Sequence, residues 1–124
     1  MAASRKLRRL KRRSQFLAAR NGRTERRKSL LVQAVRRAEP AGDWIGDGYT
    51  ATKKIGHSPA RSRAKRRLRE AARLLLPELG EPGADYVFIA RGVTGRTDWS
   101  ALLDDMKSAL ISLAPALGAP RDPS

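Results

Sequence analysis

The chain has 124 residues, and 27 lysines and arginines against 12 acidic residues leave a formal net charge of +15. Cysteine is absent, which excludes disulfides and thiolate metal sites, and no apolar run approaches the ~20 residues that span a bilayer. The excess is one-sided: residues 1–73 hold 23 basic and 5 acidic side chains, residues 74–124 hold 4 and 7. A field so positive favours a polyanion, because each phosphate neutralised releases condensed counterions, and nucleic acid is the expected partner.

In chain order, residues 4–20 read as a helix, with Leu7, Leu10, Phe16, Leu17 and Ala18 among clustered basic residues. Asn21-Gly22 ends it, since both tolerate the left-handed conformation of a helix C-terminus. Residues 27–37 contain the apolar run Leu30-Leu31-Val32-Gln33-Ala34-Val35 and fit a strand, with room for a further short one at 23–28. Residues 39–48 hold Pro40, Gly42, Gly46 and Gly48 and read as a loop. Residues 49–55, Tyr49-Thr50-Ala51-Thr52-Lys53-Lys54-Ile55, read as the next strand.

A long helix then opens at Ser58-Pro59, an N-cap followed by a first-turn proline. Ala60, Ala64, Leu68, Ala71, Ala72 and Leu75 recur at offsets of three and four on one face, and Pro77 is expected to end the helix. Its remaining surface carries Arg61, Arg63, Lys65, Arg66, Arg67, Arg69 and Arg73. Residues 84–91 are the most hydrophobic stretch and should form a central strand buried on both faces. Thr97 or Asp98 can cap a last helix with Trp99, Leu102, Leu103, Met106, Leu110 and Leu113 inward. Residues 115–124, with three prolines, read as a disordered tail. The expected fold is α+β, a single domain over residues 1–114 in the order α-β-β(-β)-α-β-α, with helices packed on a small mixed sheet.

The inventory of reactive groups is poor. The single histidine, His57, sits in a basic turn and reads as a turn residue rather than a base. Asp104 and Asp105 are adjacent on a helix and point apart, so they cannot work as a carboxylate pair. No phosphate-binding glycine loop and no carboxylate cluster for metals is present. No catalytic or metal-ligating residue is therefore assigned, and the protein by itself should cut nothing. The basic helix is the better candidate: residues 61–69 hold no acid, whereas a merely solvated face usually mixes signs. Its guanidinium forks match phosphates. Tyr86, Phe88 and Trp99 lie in apolar stretches and read as core. Phe16 and Tyr49 fit either stacking on single-stranded bases or the core, and Trp44 has no placement. The N-terminal charge is not followed by an apolar segment, so the chain is expected in the cytoplasm.

The run Thr50-Ala51-Thr52-Lys53-Lys54-Ile55-Gly56-His57-Ser58-Pro59-Ala60-Arg61-Ser62-Arg63-Ala64-Lys65-Arg66-Arg67-Leu68-Arg69-Glu70 resembles bacterial ribonuclease P proteins. Those have a strand ending in Lys-Lys-Ile/Val-Gly-Asn, then an Arg-Asn-Arg motif opening a basic helix. Leu10-Lys11-Arg12-Arg13-Ser14-Gln15-Phe16 is similar to the family's N-terminal helix, and Asp85-Tyr86-Val87-Phe88-Ile89-Ala90-Arg91 to its last strand. In order, the resemblance covers residues 7–113. It implies an α-β sandwich like a ribosomal-protein domain, with a left-handed βαβ crossover against the usual hand. Arg61, Arg63, Lys65, Arg66, Arg67 and Arg69 would contact the catalytic ribonuclease P RNA. A cleft between the N-terminal helix and the sheet would hold the single-stranded 5′ leader of precursor tRNA, with Arg12, Phe16, Tyr49, Lys53 and Lys54 as its residues. The RNA, with Mg²⁺, would perform the hydrolysis. Ser62 and His57 stand where the family usually has Asn. Leu30-Leu31-Val32 lacks an aromatic often found there, which shifts leader stacking towards Phe16. A ribosomal or general RNA-binding protein explains the charge equally well but not the ordered motifs. A self-sufficient nuclease lacks a site, and a helix-turn-helix DNA-binding protein would not flank its basic helix with strands.

Overall fold

A computed structural model describes residues 6–38 and 42–118. Five strands form one mixed sheet in the order β1-β4-β5-β3-β2, from Leu7–Arg9 (β1), Arg23–Arg26 (β2), Leu30–Arg36 (β3), Ile45–Thr50 (β4) and Ala84–Ala90 (β5). Three helices complete it: Arg13–Arg20 (α1), Ser58–Leu79 (α2) and Trp99–Leu117 (α3). β4 runs parallel to both β1 and β5, and β3 is antiparallel to β5 and β2. The parallel neighbours β4 and β5 are joined through α2, the crossover such a pair requires.

The two faces of the sheet are covered unequally. On one, Leu30, Val32, Ala34, Tyr86 and Phe88 pack against Leu68, Leu76, Leu102, Met106 and Leu110 of α2 and α3, forming the main core. On the other, Leu10, Ala19 and Val87, with Phe16, Val35 and Ile89, form a small cluster under α1. β5 lies in the middle and is buried on both sides, as its sequence, apolar apart from Asp85, leads one to expect. The hairpin turn before β3 is fastened to α3, where the N–H and hydroxyl of Ser29 donate to Asp105 at 3.1 and 2.7 Å.

Several boundaries differ from those read in the sequence. The first helix begins only at Arg13, because residues 7–9 form an edge strand on β4 instead, with Ile45 N–H donating to Lys6 and Leu10 N–H to Asp47, both at 2.9 Å. The Gln15 carboxamide oxygen accepts the N–H groups of Lys11 and Arg12 at 2.9 and 2.8 Å and closes the first turn of α1 there. Ile45, Gly46, Asp47 and Gly48, expected in a loop, are strand. A Cβ at Gly46 would lie 2.2 Å from Asp85 Oδ1 and 2.6 Å from Leu10, and one at Gly48 would lie 2.7 Å from Phe16. These glycines admit α1 and the β1–α1 segment, which composition could not reveal. Lys53–Ile55 is a 3-10 turn rather than strand, followed by Gly56 at φ 136°, which resets the chain direction before α2.

α2 passes through Pro77 to Leu79, and α3 passes through Pro115 to Leu117. Each proline lies in the last turns, where one missing N–H is cheap beside the burial of Leu76, Leu113 and Leu117. Residues 115–117, expected in a disordered tail, are thus helix, with Gly118 as its C-cap, and residues 119–124, like 1–5 and 39–41, lie outside the described residues. Trp99 is not inward: it is 38% exposed, with the Arg67 guanidinium 5.8 Å from its ring centre.

Candidate RNA interface

α2 buries Ala64, Leu68, Ala71, Ala72 and Leu76 against the sheet and α3, which turns its cationic residues outward. Arg63, Lys65, Arg66 and Arg69 are exposed and make no hydrogen bond or ion pair within the described residues. Arg61 is half-buried and donates to Ser58 Oγ at 3.1 Å. Arg67 differs from the rest. It is half-buried and donates to the carbonyls of Thr94 and Thr97 at 2.7 and 2.5 Å, so it fastens α2 to the loop before α3. Of the six residues assigned to the RNA subunit, four are thus free for phosphates, one is braced on its own helix, and one is largely occupied within the fold.

The residues assigned to the leader divide between the two faces of the sheet. Phe16 is half-buried on the α1 face, over Gly48 and beside Leu10, Val87, Val35 and Ile89. Strand alternation puts Thr50, Ile89, Gln33 and Leu31 on the same face; all four are half-exposed, because α1 is too short to cover them. They leave a partly apolar strip of sheet uncovered beside Phe16. Arg12 is exposed at the N-terminus of α1, and Lys53 and Lys54 are exposed just beyond the end of β4. Arg12 and Phe16, at the start of and within α1, thus lie on one face of the sheet with Thr50, after which come Lys53 and Lys54.

Tyr49 lies on the other face. It faces α2, where its ring stacks on Phe88 at 5.5 Å and its hydroxyl donates to Asp47 Oδ2 at 2.6 Å. Burial first, then the bond to Asp47, holds its phenol well above the usual tyrosine range. The Arg9 guanidinium covers the outer side of the ring at 5.1 Å, and Arg9, Arg69 and Arg73 line a groove of about 270 Å³ there with Glu70 and Asp47. The sequence does not reveal this cluster, because residues 4–20 read as one helix that includes Arg9, and Arg73 stands only among the cations on the remaining surface of the long helix. Trp44 is now placed: Arg37 lies 3.4 Å and Arg8 5.0 Å from its ring centre, and Arg37 also bonds the buried Asp85 at 2.5 Å. Its role is to hold the β1–β4 edge.

Among the described residues no three His, Asp or Glu side chains converge, so this chain offers no clustered donor set for the Mg²⁺ that the resemblance assigns to the RNA. No described helix is long and apolar enough to cross a membrane.

A helix with an acid-free cationic stretch over residues 61–69, and a partly apolar strip on the other face of the same mixed sheet, define a small α+β RNA-binding protein. Residues 5–114 match the family Ribonuclease P. The chain is 51% identical over 112 residues to the ribonuclease P protein component of Caulobacter vibrioides, covering 90% of this chain and 74% of that one. It is 48% identical over 105 residues to that of Ruegeria pomeroyi, with 84% of each covered. The chain belongs to the ribonuclease P protein family. Its fold is similar to the solved RNase P protein from Thermotoga maritima (TM-score 0.71, 22% identity, 86% of this chain and 98% of that chain). It is also similar to that from Staphylococcus aureus (TM-score 0.67, 19% identity, 82% and 91%).

Proposed function

We propose that this chain serves ribonuclease P as a docking and substrate-holding subunit. α2 binds the ribonuclease P RNA through Arg63, Lys65, Arg66 and Arg69. The strip beside Phe16 holds the single-stranded 5′ leader of precursor tRNA, with Arg12, Lys53 and Lys54 on its phosphates. The RNA, with Mg²⁺, carries out the hydrolysis in the cytoplasm, and the protein alone cleaves nothing. The observation that carries this reading is the pairing of four cations on α2, without hydrogen-bond or ion-pair partners among the described residues, with a separate, partly apolar strip on the opposite face of the sheet. One surface suits a folded RNA backbone and the other suits unpaired bases, which stack on aromatic and apolar floors.

Grip on the leader raises affinity for precursor over mature tRNA, because only the precursor carries the leader. The test is the ratio of those two affinities in the reconstituted complex for the double variant Phe16→Ala, Lys53→Ala. Loss of one stacked base and one phosphate contact should lower the ratio roughly tenfold or more. An unchanged ratio removes the leader from this strip.

A further inference from the structure

The loop from β5 to α3, residues 91–97, is tied down from several sides. Thr94 is fully buried; its hydroxyl accepts from Arg91 N–H at 2.7 Å and donates to the Ser29 carbonyl at 2.6 Å. The Thr97 hydroxyl donates to the Val93 carbonyl at 2.7 Å, and Arg67 grips the Thr94 and Thr97 carbonyls from α2. A loop so constrained fixes the position of Arg96, and it does so next to α2. Arg96 and Arg63 line the same hollow of about 480 Å³, together with Ile55, Pro59, Gly92 and Gly95.

That hollow has the chemistry of a phosphate seat. No acidic side chain lines it; Asp98, the nearest along the chain, lines two adjoining hollows, one of which it shares with Arg63, Arg67 and Arg96. Arg63 has no hydrogen-bond or ion-pair partner among the described residues, and Arg96 only a 3.2 Å bond to the carbonyl of Gly92. The floor is open backbone: a Cβ at Gly92 would meet nothing within 4 Å, and one at Gly95 only Arg63 Cδ at 3.8 Å. Two guanidinium groups on separate, rigidly joined elements, over a glycine floor, admit a phosphate to the backbone while both arginines bond its oxygens.

We propose that Arg63 and Arg96 together hold one phosphodiester phosphate of the ribonuclease P RNA, so that the β5–α3 loop is a second arm of the interface begun on α2. The proposal rests on the reading that α2 docks on that RNA. Arg96 itself lies outside every motif that marked the interface in the sequence.

Binding of the full chain to ribonuclease P RNA and, separately, to precursor tRNA across a salt series tests it. Arg96→Ala should weaken binding to ribonuclease P RNA roughly tenfold and reduce the slope of log Kd against log salt by about 1. Gly92→Val, which fills the hollow while keeping both arginines at a position free of positive φ, should weaken it in the same way. Because the two arginines share one phosphate, Arg63→Ala in the Arg96→Ala background should cost less than it does alone. Arg66→Ala is the reference for the α2 interface. If it weakens binding while Arg96→Ala and Gly92→Val leave Kd and slope unchanged, the second arm is wrong and α2 docking stands. If all three are unchanged, both fail. An effect of Arg96→Ala confined to precursor tRNA also overturns the assignment.

Discussion

Arg66 and Arg67 are neighbours in sequence with the same side chain, yet the fold gives them opposite work. Arg66 is exposed without a hydrogen bond, while Arg67 holds two loop carbonyls. Arg67→Met is expected to cost about 1–3 kcal/mol in urea unfolding, because both carbonyls lose a charged donor. Arg66→Ala should change stability by less than about 0.5 kcal/mol and act on RNA affinity instead. The Arg37–Asp85 pair is more demanding, since Asp85 is 3% exposed. Arg37→Ala leaves a buried carboxylate without that cation and should destabilise the protein by about 3–5 kcal/mol. The chain's two tyrosines make alkaline pH informative. Burial pushes Tyr86 up to about 12, and Tyr49 is raised as well. A phenol whose folded value is raised stabilises the fold fully below its unfolded value near 10, and that contribution is lost as pH rises from there through the folded value. Ultraviolet titration should therefore show no normal phenol ionisation near pH 10, and unfolding should set in as the pH approaches 12. A reversible transition of both phenols near 10 in folded protein would contradict the burial described.

At the scale of elements, legibility followed how much of each element its own sequence specifies. α2 was readable because its alanines and leucines repeat at helical spacing, and β5 because a strand buried twice over is almost wholly apolar, Asp85 apart. β1 and the start of β4 were not. Leu7-Arg8-Arg9 has no strand signature and is extended only because β4 offers it an edge. Gly46-Asp47-Gly48 looks like a loop by composition, yet two glycines two residues apart on one face are what let Leu10 and Phe16 settle there. The site suffered with the element: misplacing the start of β4 hid which face Tyr49 occupies, so Tyr49 was grouped with Phe16 although the sheet lies between them. Arg96 was invisible because only tertiary folding brings its loop to α2. Gly48→Val tests the packing directly. It should displace Phe16, cost about 1–3 kcal/mol by overpacking, and lower leader discrimination as Phe16→Ala does. Full stability with full discrimination would show that Phe16 does not need that contact.

For the whole molecule, the uneven charge has a structural counterpart. The basic first part of the chain supplies α1, α2 and their flanking strands, while the less charged remainder supplies β5 and α3, which fill the core. In the proposed reading the protein is a scaffold whose two opposite sheet faces engage two RNA segments at once. The most direct test is cleavage of precursor tRNA at limiting Mg²⁺ by a bacterial ribonuclease P RNA, with and without this protein, beside the protein alone. Accurate 5′ cleavage is expected only when both components are present. Cleavage by the protein alone, or no stimulation of the RNA despite tight, salt-sensitive binding, would contradict the proposed division of labour.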